Sequence, residues 1–510
     1  LNRNEGLRAA GFFGAVALPA VLFSLPVGAL IFRAFQRQLA GWGELFLRPR
    51  VGELLLSSLS LTALVLIFST VLALPLAWLT SRREFAGKRV ALGLITLPMG
   101  LPGYISAWSF LSLPGINGQP RGVLWAALAM TLYSFPLLAW NLRQGFLSTD
   151  PRFEESAMLL GKDRYQRFWK VVLPQLRPAF LSGWIFLSLY VLSDFGVPYL
   201  FGVDVLASAI YVEIIASFDP TSASVLSLFS MVLAGLLLTA GSVFGRSSVR
   251  ARLGKHEGEN SYRIVMSAKK AWILLVIFLA PSFLIPAASL SYWLPLPGVW
   301  ENFFKYNTLI SALLGSLSYG AAAGLLGTVT ALGMVLVRQR RLYPFSSLPY
   351  QAALFPGAVP GTALGLGWVL VFLGFLPWLY QTGAGFVLAL GVSAVALAAG
   401  PIRTALGSHS PSWHESAVLL GKSRLQSFVR VVLPGLKSAL LGSFVLSMGW
   451  VMRELPMTLL LSPLGTNTLP VAVFGRTVES DYAGAAPYAL VLVIIGGILG
   501  WTAGKSGRTA

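Results

Sequence analysis

The sequence predicts an all-α polytopic membrane protein of about twelve transmembrane helices, each needing about 20 apolar residues, in two parallel six-helix halves related by a pseudo-two-fold axis. Three observations carry this. Of 510 residues, 55% are hydrophobic and only 11% are charged, where an ordinary soluble domain has roughly 25% charged; mean hydropathy is +0.73. A soluble fold of this length could not cover its surface with so few polar residues, which excludes a soluble enzyme. The apolar residues fall into separate runs of span length, and the chain repeats itself across its middle.

The runs centre near Leu22, Val65, Ser106, Met130, Leu187, Leu233, Phe278, Gly324, Gly365, Ala389, Phe444 and Val493. The first, over residues 10–32, exceeds the apolar core of a cleavable signal and reads as a span. Lys and Arg number 38 against 19 acids, a net charge of +19. With both termini cytoplasmic, most of these basic residues fall in segments on that side, as the positive-inside rule requires. The four arginines Arg33, Arg37, Arg48 and Arg50 oppose the rule, so the topology of the first two spans is the weakest part of this assignment. Basic residues between apolar runs serve orientation and contact with anionic lipid, and no nucleic acid is expected. There is no cysteine, and the three histidines, His256, His409 and His414, are too scattered for a zinc site.

The repeat is explicit. Asp150-Pro151-Arg152-Phe153-Glu154-Glu155-Ser156-Ala157-Met158-Leu159-Leu160-Gly161-Lys162 matches Ser410-Pro411-Ser412-Trp413-His414-Glu415-Ser416-Ala417-Val418-Leu419-Leu420-Gly421-Lys422 at an offset of 260. The same offset relates Val171-Val172-Leu173-Pro174 to Val431-Val432-Leu433-Pro434, and Asp194 to Glu454. Residues 1–245 form the first half, 246–270 a basic cytoplasmic linker, and 271–510 the second half. An even number of spans per half makes the repeat parallel.

Each repeated loop, 150–176 and 410–436, sits between the fourth and fifth spans of its half. Asp150-Pro151 and Ser410-Pro411 pair an N-cap side chain with proline at the first helical position, so a helix starts at each. Gly161 and Gly421 end or bend it without a Cβ penalty, and a second helical stretch runs to the Leu-Pro pair. The result is a cytoplasmic helix-turn-helix elbow with an apolar face. Headgroup contact alone would explain one such amphipathic elbow; two with identical spacing point to a fixed partner.

These residues resemble the EAA loop of binding-protein-dependent ABC importer permeases: Glu-x-Ala, three residues, Gly, nine residues, then aliphatic-x-Leu-Pro. Both copies fit, with Ser156 and Ser416 in place of the middle alanine. The resemblance implies a permease of the bacterial inner membrane, fused in one chain so that no second permease subunit is needed. It assigns Glu155, Ala157 and Gly161, with Glu415, Ala417 and Gly421, to docking two copies of a cytoplasmic ABC ATPase. ATP and Mg would bind those subunits, and this chain carries no cofactor. An extracytoplasmic binding protein would deliver substrate. Gly421-Lys422-Ser423 and Gly504-Lys505-Ser506 look like the end of a P-loop, but Ser416 and Leu499 stand where its opening glycine belongs. This chain is therefore read as no enzyme.

Within that family, Leu192-Ser193-Asp194-Phe195-Gly196-Val197-Pro198 and Arg453-Glu454-Leu455-Pro456 resemble the ferric-iron branch, and Pro102-Gly103-Tyr104 with Pro360-Gly361-Thr362 agree. Permeases for thiamine, polyamine and oxyanions such as sulfate share parts of these segments and stay open as alternatives, as does a secondary transporter or channel. An acid in a span costs roughly 2.5–3.5 kcal/mol, so Asp194 and Glu454 should line a polar path or have partners. Two carboxylates facing one path would attract a hard cation and serve as transient metal ligands; Tyr104 and Tyr190 would add phenolic oxygens. Alternatively Asp194 caps the helix before Pro198, Arg453 neutralises Glu454, and the tyrosines are interfacial aromatics. The acids Asp204, Glu213, Asp219, Glu479 and Asp481 fall in two outer loops, either to meet a basic binding-protein surface or as ordinary solvated loop residues.

Overall fold

The computed structural model describes residues 18–36, 42, 48–114, 120–252, 264–301, 308–339, 359–408 and 419–506. Glu415 and Ala417, His409 and His414, and the middle of the linker lie outside the described residues. Every predicted run centre falls in a helix, from Leu22 in Leu18–Phe35 and Val65 in Pro49–Arg82 to Phe444 in Lys437–Val451 and Val493 in Tyr482–Ser506. Among the described residues, seven helices are long and apolar enough to cross a membrane, and two bent pairs bring the number up to nine. Twelve full spans are therefore not reached: Leu22, Gly365 and Val493 lie in shorter apolar helices.

The bends follow from backbone chemistry. Lys88–Gly100 and Gly103–Leu111 meet at 83°, where a 3-10 turn over Leu97–Gly100 ends ahead of Pro102, a residue that cannot donate to a helical ladder. Phe428–Gly435 and Lys437–Val451 meet at 59°, just after Pro434-Gly435.

The halves exchange their first spans. Ala268–Trp293, the first span of the second half, lies on the first half, where Ser289 Oγ donates to the Ser109 carbonyl (2.6 Å), Trp293 Nε1 to Ser112 (2.7 Å) and Ser282 Oγ to Leu132 (3.0 Å). Leu18–Phe35 lies on the second half, so close to Gly361–Phe375 that a Cβ on Gly367 would meet the Pro26 carbonyl oxygen at 2.6 Å. Each hydrophobic core is chimeric, through the last spans as well as the first. Trp108, Tyr133 and Leu187 pack with Leu275 and Leu492 in one, and Trp368, Phe386 and Leu460 with Phe23 and Leu226 in the other. Beside the first of these cores the backbones of Gly100 and Gly496 meet with no room for a side chain on either.

At one end of the first half, segments that the charge pattern assigns to the cytoplasm come together with the linker. Arg83–Glu84, after the second described helix, pairs in parallel with Ile264–Val265 at the end of the linker. Neighbouring Arg82 reaches the first elbow, donating to Thr149 Oγ1 (2.6 Å).

Candidate functional site

Two sets of residues are the candidates: the two elbows, and the acids at the far ends of the helices that leave them. In the first elbow, Asp150 accepts from the Arg152 amide (3.0 Å) and starts Pro151–Leu159. Gly161, at φ 72, ends it. Its amide bonds the Met158 carbonyl and that of Lys162 the Ala157 carbonyl, both at 3.0 Å, a Schellman closure that satisfies carbonyls the helix leaves open. Asp163 then accepts from Gln166 (2.7 Å) and starts Arg164–Arg167.

The second elbow repeats this conformation where it is described. Gly421 has φ 79, and Ser423 Oγ accepts from the Gln426 amide (3.2 Å). Both elbows then widen into a π turn, Phe168–Val172 and Phe428–Val432, before Leu-Pro. Pro174 and Pro434 have no N–H to close the regular ladder, and the Leu173 and Leu433 amides bond Phe168 and Phe428 one residue further back instead. The sequence reading did not include these π turns.

Of the residues assigned to ATPase docking, Ala157 is 7% exposed, Glu155 is half-buried, and Gly161 and Gly421 occupy exposed turns. The apolar tips project outward instead: Leu159 is 86% exposed and Leu419 87%. Three bracing residues went unread. Arg82 lies 3.5 Å from Glu154, and Gln175 accepts from the Asp150 amide (3.1 Å) while donating to the Val171 carbonyl (3.1 Å). Their signal in the sequence is only charge and polarity beside the motif.

At the far ends, Asp194 and Glu454 occupy equivalent positions. Asp194 Oδ1 accepts from the Val197 amide (3.0 Å), capping Gly196–Leu200, and Oδ2 accepts from Tyr133 Oη (2.7 Å). Glu454 Oε1 accepts from the Met457 amide at 3.4 Å, at the start of Pro456–Leu461. Each carboxylate leans on the glycine of the opposing Pro-Gly. A Cβ on Gly103 would sit 2.7 Å from Asp194 Oδ2, and one on Gly361 2.6 Å from Glu454 Oε1. The two Pro-Gly motifs thus have a steric reason: they open the helix N-terminus to a carboxylate.

Arg453 does not pair with Glu454 as one alternative had it. Its Nε donates to the Gly449 carbonyl (3.1 Å) and its Nη1 crosses to the Met99 carbonyl of the other half (2.6 Å). Tyr104 is buried at 4% exposure, which excludes an interfacial aromatic, and its hydroxyl has no partner. Tyr190 presents an exposed face, stacks edge-on against Tyr133 and lies within electrostatic reach of Arg453, Asp194 and Glu454. The structure brings all four sequence-chosen path residues to one place where the halves meet. Tyr133, missed because an aromatic inside a span looks like packing, belongs with them.

The outer-loop acids divide. Asp219 caps Pro220–Arg252 through the Thr221 and Ser222 amides (3.0 Å each), and Asp481 accepts from the Gly484 amide (2.9 Å) and from Arg476 (2.6 Å). Each follows a non-glycine residue at positive φ, Phe218 at 52° and Ser480 at 62°, so the turn before the last span is duplicated too. Asp204 and Glu479 remain exposed.

A family model, binding-protein-dependent transport system inner membrane component, matches residues 69–253 and again 323–504. The chain belongs to this family. It is an ABC-importer permease with its membrane unit present twice, a transport component of the multi-pass bacterial inner-membrane kind whose family works with ATPase and binding-protein partners. Among relatives, the Fe(3+)-transport system permease protein FbpB 2 of Haemophilus influenzae is 29% identical over 483 residues, covering 93% of this chain and 94% of its own. The ferric transport system permease protein FbpB of Actinobacillus pleuropneumoniae is 26% identical, covering 86% of this chain and 69% of its own length. The sulfate transport system permease protein CysT of Escherichia coli is 28% identical over only 46% of this chain.

Proposed function

We propose that this chain is the complete membrane path of a ferric-iron importer, receiving iron from an extracytoplasmic binding protein and driven by two cytoplasmic ATPases. The observation that carries the ferric assignment is likeness over nearly the whole fused chain to a ferric permease, where the sulfate relative matches about half. The acids agree with it, since hard cations take oxygen ligands.

One ATPase docks on each elbow. The contact is made by Glu155 with the exposed tips after Pro151–Leu159, and by Glu415 with the corresponding tips of the second half. Ala157 keeps the first docking helix low against the membrane domain, Ala417 is its counterpart in the second motif, and Gly161 and Gly421 supply the turn. ATP-driven closure of the ATPases moves the elbows together. The exchanged first spans make each half grip the other, so the halves rock as bodies about their contact at Gly100 and Gly496 and expose the acids to alternate sides. The path is lined by Asp194, Glu454, Tyr104 and Tyr190.

The sulfate relative and the arginine beside the acids favour a second reading, an oxyanion. The permease reconstituted with its ATPases decides between them. Ferric-loaded binding protein is expected to stimulate ATP hydrolysis, and sulfate-loaded binding protein to leave it at the basal rate. The reverse pattern overturns the ferric assignment.

A further inference from the structure

The two acids are equivalent by position and unequal in what they touch. Asp194 has both oxygens engaged, one on the Val197 amide and the other on Tyr133. Glu454 has one long bond, 3.4 Å, to the Met457 amide, and lone pairs to spare. The position corresponding to Tyr133 is Ser393, whose hydroxyl is turned to its own helix at the Ala389 carbonyl (3.0 Å) and to Met457. Among the described residues, no phenol of its own half bonds Glu454.

A phenol comes near from the other half. Tyr104 and Leu455, the residue after Glu454, flank the same glycine: a Cβ on Gly196 would meet Leu455 Cδ2 at 3.2 Å and Tyr104 Cβ at 3.6 Å, and the Tyr104 hydroxyl is buried without a hydrogen-bond partner. A buried hydroxyl left unpaired costs about 1–3 kcal/mol, and native structures retain such groups where something else satisfies them. Thr362, next to Gly361 as Tyr104 is next to Gly103, also carries a buried hydroxyl without a partner. Both unpartnered hydroxyls thus follow the glycines on which the two acids rest. The guanidinium of Arg453, itself held on Gly449 and Met99, offsets part of the carboxylates' charge. That balance suits a site that must release its ion as well as accept it.

We infer that Glu454 and Tyr104 form a donor pair across the two halves that takes a hard trivalent cation in transit, while Asp194 serves as the brace of Gly196–Leu200. Because its donors come from different halves, the pair exists only while the halves are together; rocking them apart separates the donors and frees the ion. Tyr104 and Glu454 are thereby the residues that couple ion release to the motion. This rests on the ferric reading only for the identity of the ion.

The test uses terbium(III), a hard trivalent probe whose luminescence is sensitised by nearby phenols, on the permease with its ATPases in nanodiscs. Tyr104→Phe and Glu454→Gln are each expected to weaken the saturable terbium signal at least tenfold, at the lower end of what lost metal partners cost, with unchanged melting temperature. Glu454→Asp is expected to recover part of the signal. Asp194→Asn should lower the melting temperature and reduce terbium affinity by less than Glu454→Gln does. Equal terbium binding by all variants means an adventitious ion only and overturns the inference, as does loss of binding in Asp194→Asn without loss of stability. Should the variant pattern hold while ferric-loaded binding protein fails to stimulate ATP hydrolysis, the donor pair stands and the ferric assignment falls.

Discussion

Asp194 and Glu454 descend from one duplicated position and have diverged in use. On the first half, an acid with a short side chain is drawn onto a helix start and a tyrosine. On the second, an acid one methylene longer rests on a glycine and makes a single long bond. The elbows show the opposite outcome: positive-φ glycine, polar cap and π turn recur in both. Duplication has preserved the geometry of the elbows and let the contacts of the two acids diverge.

The comparison can be broken first at the glycines. A Cβ at Gly103 would meet Tyr133 Oη at 2.6 Å and Asp194 Oδ2 at 2.7 Å, both fixed by their mutual bond, whereas at Gly361 the atom met at 2.6 Å is the mobile tip of Glu454. Gly103→Ala should therefore destabilise the assembled protein by about 3 kcal/mol, the upper end of overpacking costs, and Gly361→Ala by about 1 kcal/mol or less. Thermal unfolding in nanodiscs measures both; equal losses would remove the asymmetry. A smaller effect is expected from Tyr133→Phe, which deletes a hydrogen bond to a charged group and should cost about 1.5 kcal/mol. Ser393→Ala, at the matching position of the second half, should cost less in the same assay, because Ser393 does not reach Glu454.

Much of this was legible beforehand, for identifiable reasons. Run centres and the repeat are properties of composition and spacing, and each centre from Leu22 to Val493 falls in a helix. The glycine turns were readable because Gly161 and Gly421 follow a helix whose start was marked by a cap and a proline. The bends at Pro102 and Gly435 were not placed, since an apolar run does not say where its ladder breaks. The exchange of first spans was invisible because the faces of Leu18–Phe35 and Ala268–Trp293 do not name the half they bury against. At the acids, the alternatives were correctly posed and only geometry chose among them. Asp194 does cap a helix; Arg453 goes to Met99 rather than to its sequence neighbour.

The central claim is that the twin elbows receive the ATPases. Its most direct measurement is copurification of the ATPase, with ATP hydrolysis and substrate uptake, for the double variant Glu155→Ala with Glu415→Ala. Loss of ATPase association and of uptake, with the permease still folded and in the membrane, is the expected result. Full association and full uptake in that variant would contradict the account.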